Sequence, residues 1–278
     1  MISVLILTKN EELNLPSCLE ALQWCDDIVV LDSHSTDRTV EIAKQAGARV
    51  FQREFDNERD QRTASLTLDF KYPWIYNPDA DEIPSIELIR DMQNVAASDA
   101  AQPCAFRVRF KTIFMGQWIR RSSLYPTWAV RFFRKDAVSF ERSINLRYVV
   151  HGEEGTFQSH FEHHTFRKGI AHWFAKHNRY SDFEAQEGLK ANRRQPRFRD
   201  ILSSKPLIRR SALKEFAFRL PFRPLLRFVY MYFLRLGILD GRAGFHYCVL
   251  LSIYEYMISI KMSELRQRKQ EVKSESQL

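Results

Sequence analysis

Short apolar runs alternate with polar, helix-period segments along the first hundred residues. Residues 2–7 and 28–31 are β-branched and leucine-rich, which predicts strands buried on both faces. Between them Leu13, Leu15, Leu19 and Leu22 recur at roughly helical spacing and predict a helix that crosses back over the sheet. The cluster Ser35-Thr36-Asp37 predicts the start of a helix over 38–45, closed by Gly47, before a third strand over 49–52. A helix over 58–68 and a strand over 74–77 continue the scheme. This order implies a parallel sheet with right-handed crossovers, which binds ligands at the carboxyl ends of its strands. Polar groups stand at those ends: "TKNEE" at 8–12, "LDSHSTD" at 31–37 and "DADE" at 79–82.

From about residue 105 the pattern changes. "AFRVRFKTIFMGQWI" and "WAVRFFR" alternate apolar and basic positions, predicting antiparallel strands with one wetter face. A mixed, mainly parallel sheet flanked by helices is therefore expected up to roughly residue 165. Residues 224–261 are strongly apolar and aromatic, but Arg227, Arg235, Asp240, Arg242 and Glu255 interrupt them. The longest uncharged stretch, 243–254, has twelve residues, short of the about 20 that a spanning helix needs. Amphipathic helices lying in a membrane interface, with arginines snorkelling to phosphates, are the expectation, and two helices packed on the main domain or in a dimer interface are the alternative.

Charge sharpens this picture. Of a net +8, residues 190–242 carry fourteen Lys/Arg against Asp200, Glu215 and Asp240, a surplus of eleven, so the remainder is near −3. The positive charge belongs to one late segment, which calls for an anionic partner. A nucleic acid is disfavoured, because the apolar runs after Leu220 are too dense for a solvated phosphate-tracking face. At 278 residues, 45% hydrophobic and 27% charged, the chain is globular rather than disordered. Its four cysteines, Cys18, Cys25, Cys104 and Cys248, lie far apart and suggest neither a zinc module nor a disulfide framework. The opening "MISVLILTKNEE" reads as a first core strand rather than a leader, and a cytoplasmic location is expected.

The acidic cluster poses the chemical question, because crowded carboxylates require a cation. On a continuing strand Asp79 and Asp81 would point the same way, a pair that suits a hard divalent ion sharing its shell with phosphates. The loop after the first strand, "TKNEELN", has no glycine to admit a pyrophosphate, so a dinucleotide fingerprint is absent. His160, His163, His164, His172 and His177 follow no zinc-hydrolase spacing, although one of them could approach an ion held by the acidic cluster.

"ISVLILTKNEELNL", "DDIVVLDSHSTDRTVEIAKQAGA" and "WIYNPDADEIP", in this order, resemble the inverting glycosyltransferases of family 2, fold type GT-A. Within that family the chain is most similar to bacterial enzymes related to the lipopolysaccharide-core β-1,4-glucosyltransferases. The likeness covers roughly residues 1–180, including "FRKGIAHWFAKHNRYSDFEAQE", and extends less specifically to "LRLGILDGRAGFHY".

The resemblance implies a GT-A, Rossmann-like domain over 1–180, a basic, aromatic helical extension over 181–265, and a polar tail over 266–278. It further implies transfer of a sugar from a nucleotide-diphosphate donor, with a UDP-sugar as first expectation. The acceptor would be lipid-linked or a lipopolysaccharide, in cell-envelope synthesis, with Mg²⁺ or Mn²⁺ as cofactor. Thr8, Asn10 and Glu11 would line the nucleotide pocket, Asp32 would bind nucleobase or ribose, and Arg62 would stand near the nucleotide. Asp79 and Asp81 would be the D-x-D pair on ribose and metal. Read as ordinary structure, Asn10, Glu11, Asp32 and Asp37 would cap helices and Arg62 would lie on a solvated helix face.

Where the family carries an acidic motif beyond D-x-D, this chain has Asn145-Leu146. The candidates for a general base are then Glu141, Glu153 and His151, in that order, and an inactive transferase-like scaffold is the alternative. Through 205–261 the chain would rest on the anionic inner face of the cytoplasmic membrane, as a peripheral protein.

Overall fold

A computed structural model describes residues 1–98, 103–141, 146–193 and 222–275. The chain forms two compact units, Met1–Lys168 and Gly169–Leu278. The sequence-expected boundary at 180 falls inside the helix Gly169–Arg193.

The first unit begins as predicted. Strands β1 (Ile2–Thr8), β2 (Ile28–Asp32), β3 (Arg49–Gln52) and β4 (Trp74–Tyr76) alternate with helices α1 (Leu15–Glu20), α2 (Thr39–Gln45) and α3 (Glu58–Ser65). They pair in parallel in the order β3-β2-β1-β4, with Leu7 beside Leu31 and Val4 beside Tyr76. Helix α1 is shorter than the leucine spacing suggested, and Leu22 is buried in the turn that follows it. Gly47, at φ 79°, takes the left-handed conformation that closes α2.

Beyond β4 the sheet becomes mixed. Next come β5 (Glu82–Pro84), helix α4 (Ile86–Ala97), β6 (Ala105–Phe114), β7 (Gln117–Trp118) and β8 (Thr127–Arg134). They are followed by β9 (Val138–Glu141), β10 (Arg147–Val150) and β11 (Glu154–His163). The sheet continues β4-β8-β6-β11-β5, with β7 on β6, while β9 and β10 form a separate hairpin. Strand β8 pairs antiparallel with β4 and β6, as the alternating segments predicted, while β6 and β11 pair in parallel. Strands β4 and β5 are near neighbours in sequence but have three strands between them in the sheet. Arg131 of β8 nevertheless bonds Glu82 of β5, so the sheet curls until its edge strand returns to β4.

Both faces of the sheet are covered, which is why its strands read as continuous apolar runs. Val4, Ile6, Trp74, Tyr76, Phe106 and Phe132 pack with Leu15, Cys18, Leu88 and Met92 of the helices. The alternate residues Leu5, Val29, Ile75 and Phe133 pack with Val138 and Phe140 of the hairpin. Stacked rings tie neighbouring strands together, Trp74 of β4 on Phe132 of β8 at 4.6 Å and Phe106 of β6 on Phe157 of β11 at 4.4 Å. Each such side chain contributes about 1.5–3 kcal/mol by burial. At the amino end of the strands buried Asp27 accepts from Ser3 Oγ at 2.5 Å, Arg49 Nη2 at 2.6 Å and Lys71 N at 2.8 Å.

The second unit is helical among its described residues. Gly169–Arg193 packs on Gly241–Glu275 through Ala185, Ile258 and Met262, supported by Lys261 with Asp182 at 2.7 Å. Arg223–Val229 is helical, continues as a π-helix over Tyr230–Leu234, and pairs Arg223 with Glu255 at 2.5 Å. Exposed apolar side chains crowd this segment: Phe222, Leu225, Phe233, Leu234 and Leu239 are each more than half exposed. Gly237–Arg268 is long enough to cross a membrane and contains an 18-residue window with a mean hydropathy of 1.2, which a core helix of a soluble protein also attains. Of the segment 205–261 expected to meet a membrane, residues 205–221 lie outside the described residues.

Candidate active site

Two strand-end loops meet at the carboxyl ends of β1 and β2. Thr8 Oγ1, at the end of β1, donates to Asp32 Oδ1 at the end of β2 at 2.9 Å. Asp32 also accepts from Ser35 N at 2.8 Å, Ser35 Oγ at 2.5 Å and Gln52 Nε2 at 3.4 Å, and it is fully buried. Its carboxylate is therefore occupied in holding the β2 loop, the capping-type role open to it in the sequence. Asn10, at φ 54°, accepts from Thr36 N at 2.8 Å and donates its own N–H to Ser35 Oγ at 2.8 Å. Glu11 N donates to Thr39 Oγ1 at 2.7 Å, and its carboxylate accepts from Asn14 Nδ2 at 2.8 Å and pairs with Lys168 Nζ at 2.5 Å. Burial, reinforced by the charge of Asp81, raises the Glu11 carboxyl above its ordinary pKa despite Lys168.

The acidic cluster lies beside the end of β1, and its cations are arginines. Asp79 bridges to Leu7 of β1, after which Ala80 and Asp81 turn instead of continuing the strand. The alternation expected of Asp79 and Asp81 accordingly does not apply, and the two carboxylates take different partners. Asp79 Oδ1 accepts from Arg62 Nη2 at 2.7 Å and Asp79 Oδ2 from Arg131 Nη2 at 2.6 Å. Arg131 also donates to both oxygens of Glu82, at 2.8 and 2.6 Å, while Arg62 donates to Asn77 Oδ1 and to the Tyr148 hydroxyl. Arg62, Arg131 and Glu82 are buried. Two arginines against two carboxylates neutralise the group, which is how such charges tolerate burial. Burial works to raise the Asp79 carboxyl, but the guanidiniums outweigh it and hold it well below the ordinary range. Burial and the neighbouring Asp79 raise Glu82, against the pull of Arg131.

Asp81 turns to a histidine. His163 Nε2, at the end of β11, lies 3.5 Å from Asp81 Oδ2, with the two side chains 22% and 21% exposed. Burial lowers the His163 pKa, but the charges of Asp81, Glu82 and Asp79 more than reverse this and raise it. His164 N donates to Asp81 O at 2.8 Å, fixing the turn.

Both oxygens of Asp79 are engaged by arginines, so among these side chains Asp81 and His163 are the two that would hold a divalent ion. Among the described residues no set of three or more His, Cys, Asp or Glu side chains gathers as a metal site. An ion here would take the rest of its shell from phosphate oxygens and water.

The structure separates the three base candidates. Glu141 lies at the strand-end side of the hairpin, one residue beyond Phe140, which pairs with Tyr148; its side chain is 57% exposed and 3.7 Å from Arg147. His151 and Glu153 lie at the opposite end of the sheet. His151 borders a cleft of about 460 Å³ with Lys71, Pro73 and Arg134, and Glu153 O accepts from Cys104 N at 2.9 Å. Strand β11 runs roughly 30 Å from Glu154 to His163 at about 3.3 Å per residue, so neither residue is brought to Asp81. Residues 142–145 lie outside the described residues.

The sequence reading singled out Thr8, Asn10, Glu11, Asp32, Arg62, Asp79 and Asp81, and the structure gathers them at one end of the sheet. It missed Arg131, Tyr148 and Lys168, and left His163 unsorted among five histidines. An arginine flanked by Val130 and Phe132 was the available signal for Arg131.

Comparison with known proteins identifies the family. Residues 3–165 match the family model described as glycosyl transferase family 2. An uncharacterized glycosyltransferase of Rickettsia typhi is 30% identical over 146 residues, 52% of this chain and 50% of that protein, so the match spans half the relative's length. The lipopolysaccharide core biosynthesis glycosyltransferase LpsC of Rhizobium meliloti is 26% identical over 215 residues, 74% of this chain and 78% of that protein. Among solved structures, S. aureus TarS 1-349 aligns with a TM-score of 0.47 at 13% identity, over 96% of this chain and 91% of that one. At that level it bears on neither substrate nor site.

Proposed function

The chain belongs to glycosyl transferase family 2, and from that membership we propose that it moves a sugar, with inversion, from a nucleoside diphosphate to a membrane-linked glycan or lipid of the cell envelope. The observation that carries the proposal is the convergence of Thr8, Asp32, Asp79 and Asp81 at the carboxyl ends of β1, β2 and β4, where open α/β sheets hold ligands. The likeness to a lipopolysaccharide core glycosyltransferase supports the choice of acceptor.

In this account Thr8, Asn10 and Glu11 line the nucleotide pocket, and Asp32 holds its shape. Arg62 and Arg131 fix Asp79 so that the turn presents Asp81 beside His163. These two residues would hold Mg²⁺ or Mn²⁺, which when bound supplies positive charge to the diphosphate. A hydroxyl oxygen of the acceptor forms the new bond to the anomeric carbon, and the carbon–oxygen bond to the diphosphate breaks with its electron pair on the phosphate. The hydroxyl proton passes to a carboxylate, and Glu141 is the sequence candidate on the correct side of the sheet. Exposed Leu234 and Leu239, with Arg235 and Arg242 nearby in the chain, support peripheral attachment to an anionic leaflet.

Transfer from UDP-sugars to lipopolysaccharide or polyprenyl-linked saccharides, followed by release of UDP and by the anomeric configuration of the product, tests the proposal. A second reading, a scaffold that binds donor without turnover, is favoured by the distance of His151 and Glu153 from Asp81. Nucleotide binding without product from any acceptor would decide for it.

A further inference from the structure

The cations at the carboxyl ends of β1, β4 and β11 are not equally committed. Arg62 and Arg131 are buried against Asp79 and Glu82, and their departure would leave those carboxylates unpaired. Lys9 Nζ donates to two backbone carbonyls of the β2 loop, Ser33 O at 2.6 Å and His34 O at 2.7 Å. Lys168 differs from all three. Its ammonium meets one carboxylate oxygen, Glu11 Oε1 at 2.5 Å, in a pair whose side chains are 15% and 20% exposed. Glu11 keeps a second partner in Asn14 Nδ2 at 2.8 Å, so it is not stranded when the lysine moves.

Position adds to this. Lys168 follows His163 by five residues, on a turn that starts where His164 N is bonded to Asp81 O at 2.8 Å. One short turn therefore brings an imidazole to Asp81 and an ammonium to the β1 loop. A lysine is a compact charge on a flexible stem, able to exchange a carboxylate for phosphate oxygens without repacking its neighbours. A diphosphate offers more charge than one carboxylate and accepts several charge-assisted bonds.

Resting on the donor-site reading above, we propose that Lys168 is the cation that binds the donor's diphosphate, and that Glu11 holds it until the diphosphate displaces the carboxylate. Glu11 is then a positioning residue for Lys168.

The test is calorimetry with Mn²⁺ on the wild type, Lys168→Met and Lys168→Arg, using UDP and GDP, with uridine and guanosine followed by ligand-observed NMR. Lys168→Met is expected to weaken the preferred nucleoside diphosphate about tenfold or more, with nucleoside binding unchanged. Lys168→Arg, which keeps the charge, is expected to retain most of the affinity. Equal diphosphate affinity in the wild type and Lys168→Met would overturn the inference. Parallel loss of diphosphate and nucleoside would overturn it too, because Lys168 would then act only on the shape of the β1 loop. A wild type that binds neither UDP nor GDP would instead overturn the donor-site reading on which the inference stands.

Discussion

Arg131 Nη2 lies 2.6 Å from Asp79 Oδ2 and 2.6 Å from Glu82 Oε1, joining the end of β4 to the far edge of the sheet through one nitrogen. Curl of the sheet and neutralisation of the acidic cluster are one event. The cation that the crowded carboxylates call for is, in the first instance, a buried guanidinium.

Removing that guanidinium leaves Asp79 short of one partner and Glu82 buried without its cation. Arg131→Met is expected to cost about 3–5 kcal/mol of stability, the usual consequence of breaking a buried pair. Urea unfolding followed by circular dichroism measures it. Adding Glu82→Gln to Arg131→Met should recover part of the loss, because one uncompensated charge is then gone.

The two aspartates of the D-x-D triplet should separate by phenotype. Asp79→Asn removes the charge facing Arg62 and Arg131, so its main effect should be a lower melting temperature. Asp81→Asn should lower melting less than Asp79→Asn does and weaken cation-dependent nucleotide binding at least tenfold. Thermal melts and calorimetry on both variants make the comparison.

Acid stability should depend on Asp27 at the other end of the sheet. Burial works to raise this carboxyl, but bonds from Ser3, Lys71 N and Arg49 outweigh it and lower its pKa. A lowered carboxylate contributes stability above the unfolded value of about 3.9, and that contribution is lost as pH falls through the native value. Asp27→Asn should therefore be less stable than the wild type at pH 7, with the gap narrowing below about pH 4. Urea midpoints across that range test the sign.

Glu141→Gln tests the base assignment. It should abolish most transfer while leaving nucleotide affinity unchanged, because the residue is not placed against the β1 and β2 loops. Unchanged turnover would remove Glu141 from the mechanism.

Membrane attachment predicts flotation with vesicles containing anionic lipid. Leu234→Asp with Leu239→Asp should reduce it strongly, since these side chains are 73% and 67% exposed. Higher salt should weaken it by screening the arginines.

The parallel half of the sheet was legible because strands covered on both faces leave unbroken runs such as "SVLIL" and "DIVVL". The strand-end polar groups followed from topology. Arg131 was only faintly legible: its place between Val130 and Phe132 set it apart, but on an alternating strand an arginine reads as the wet face, and only curl brings Asp79 and Glu82 to it. The turn at Ala80-Asp81 was hidden for a related reason, since D-x-D on a continuing strand and D-x-D entering a turn are the same letters. His151 and Glu153 stood among the base candidates because sequence distance says nothing of the ten-residue strand that separates them from His163.

The most direct test is calorimetric titration of UDP and GDP, with and without Mn²⁺, into the wild type and Asp81→Ala. The account predicts cation-dependent binding of one nucleoside diphosphate that the substitution abolishes. Binding that is indifferent to Mn²⁺ and to Asp81, or no binding of either nucleotide with Mn²⁺ present, would contradict it.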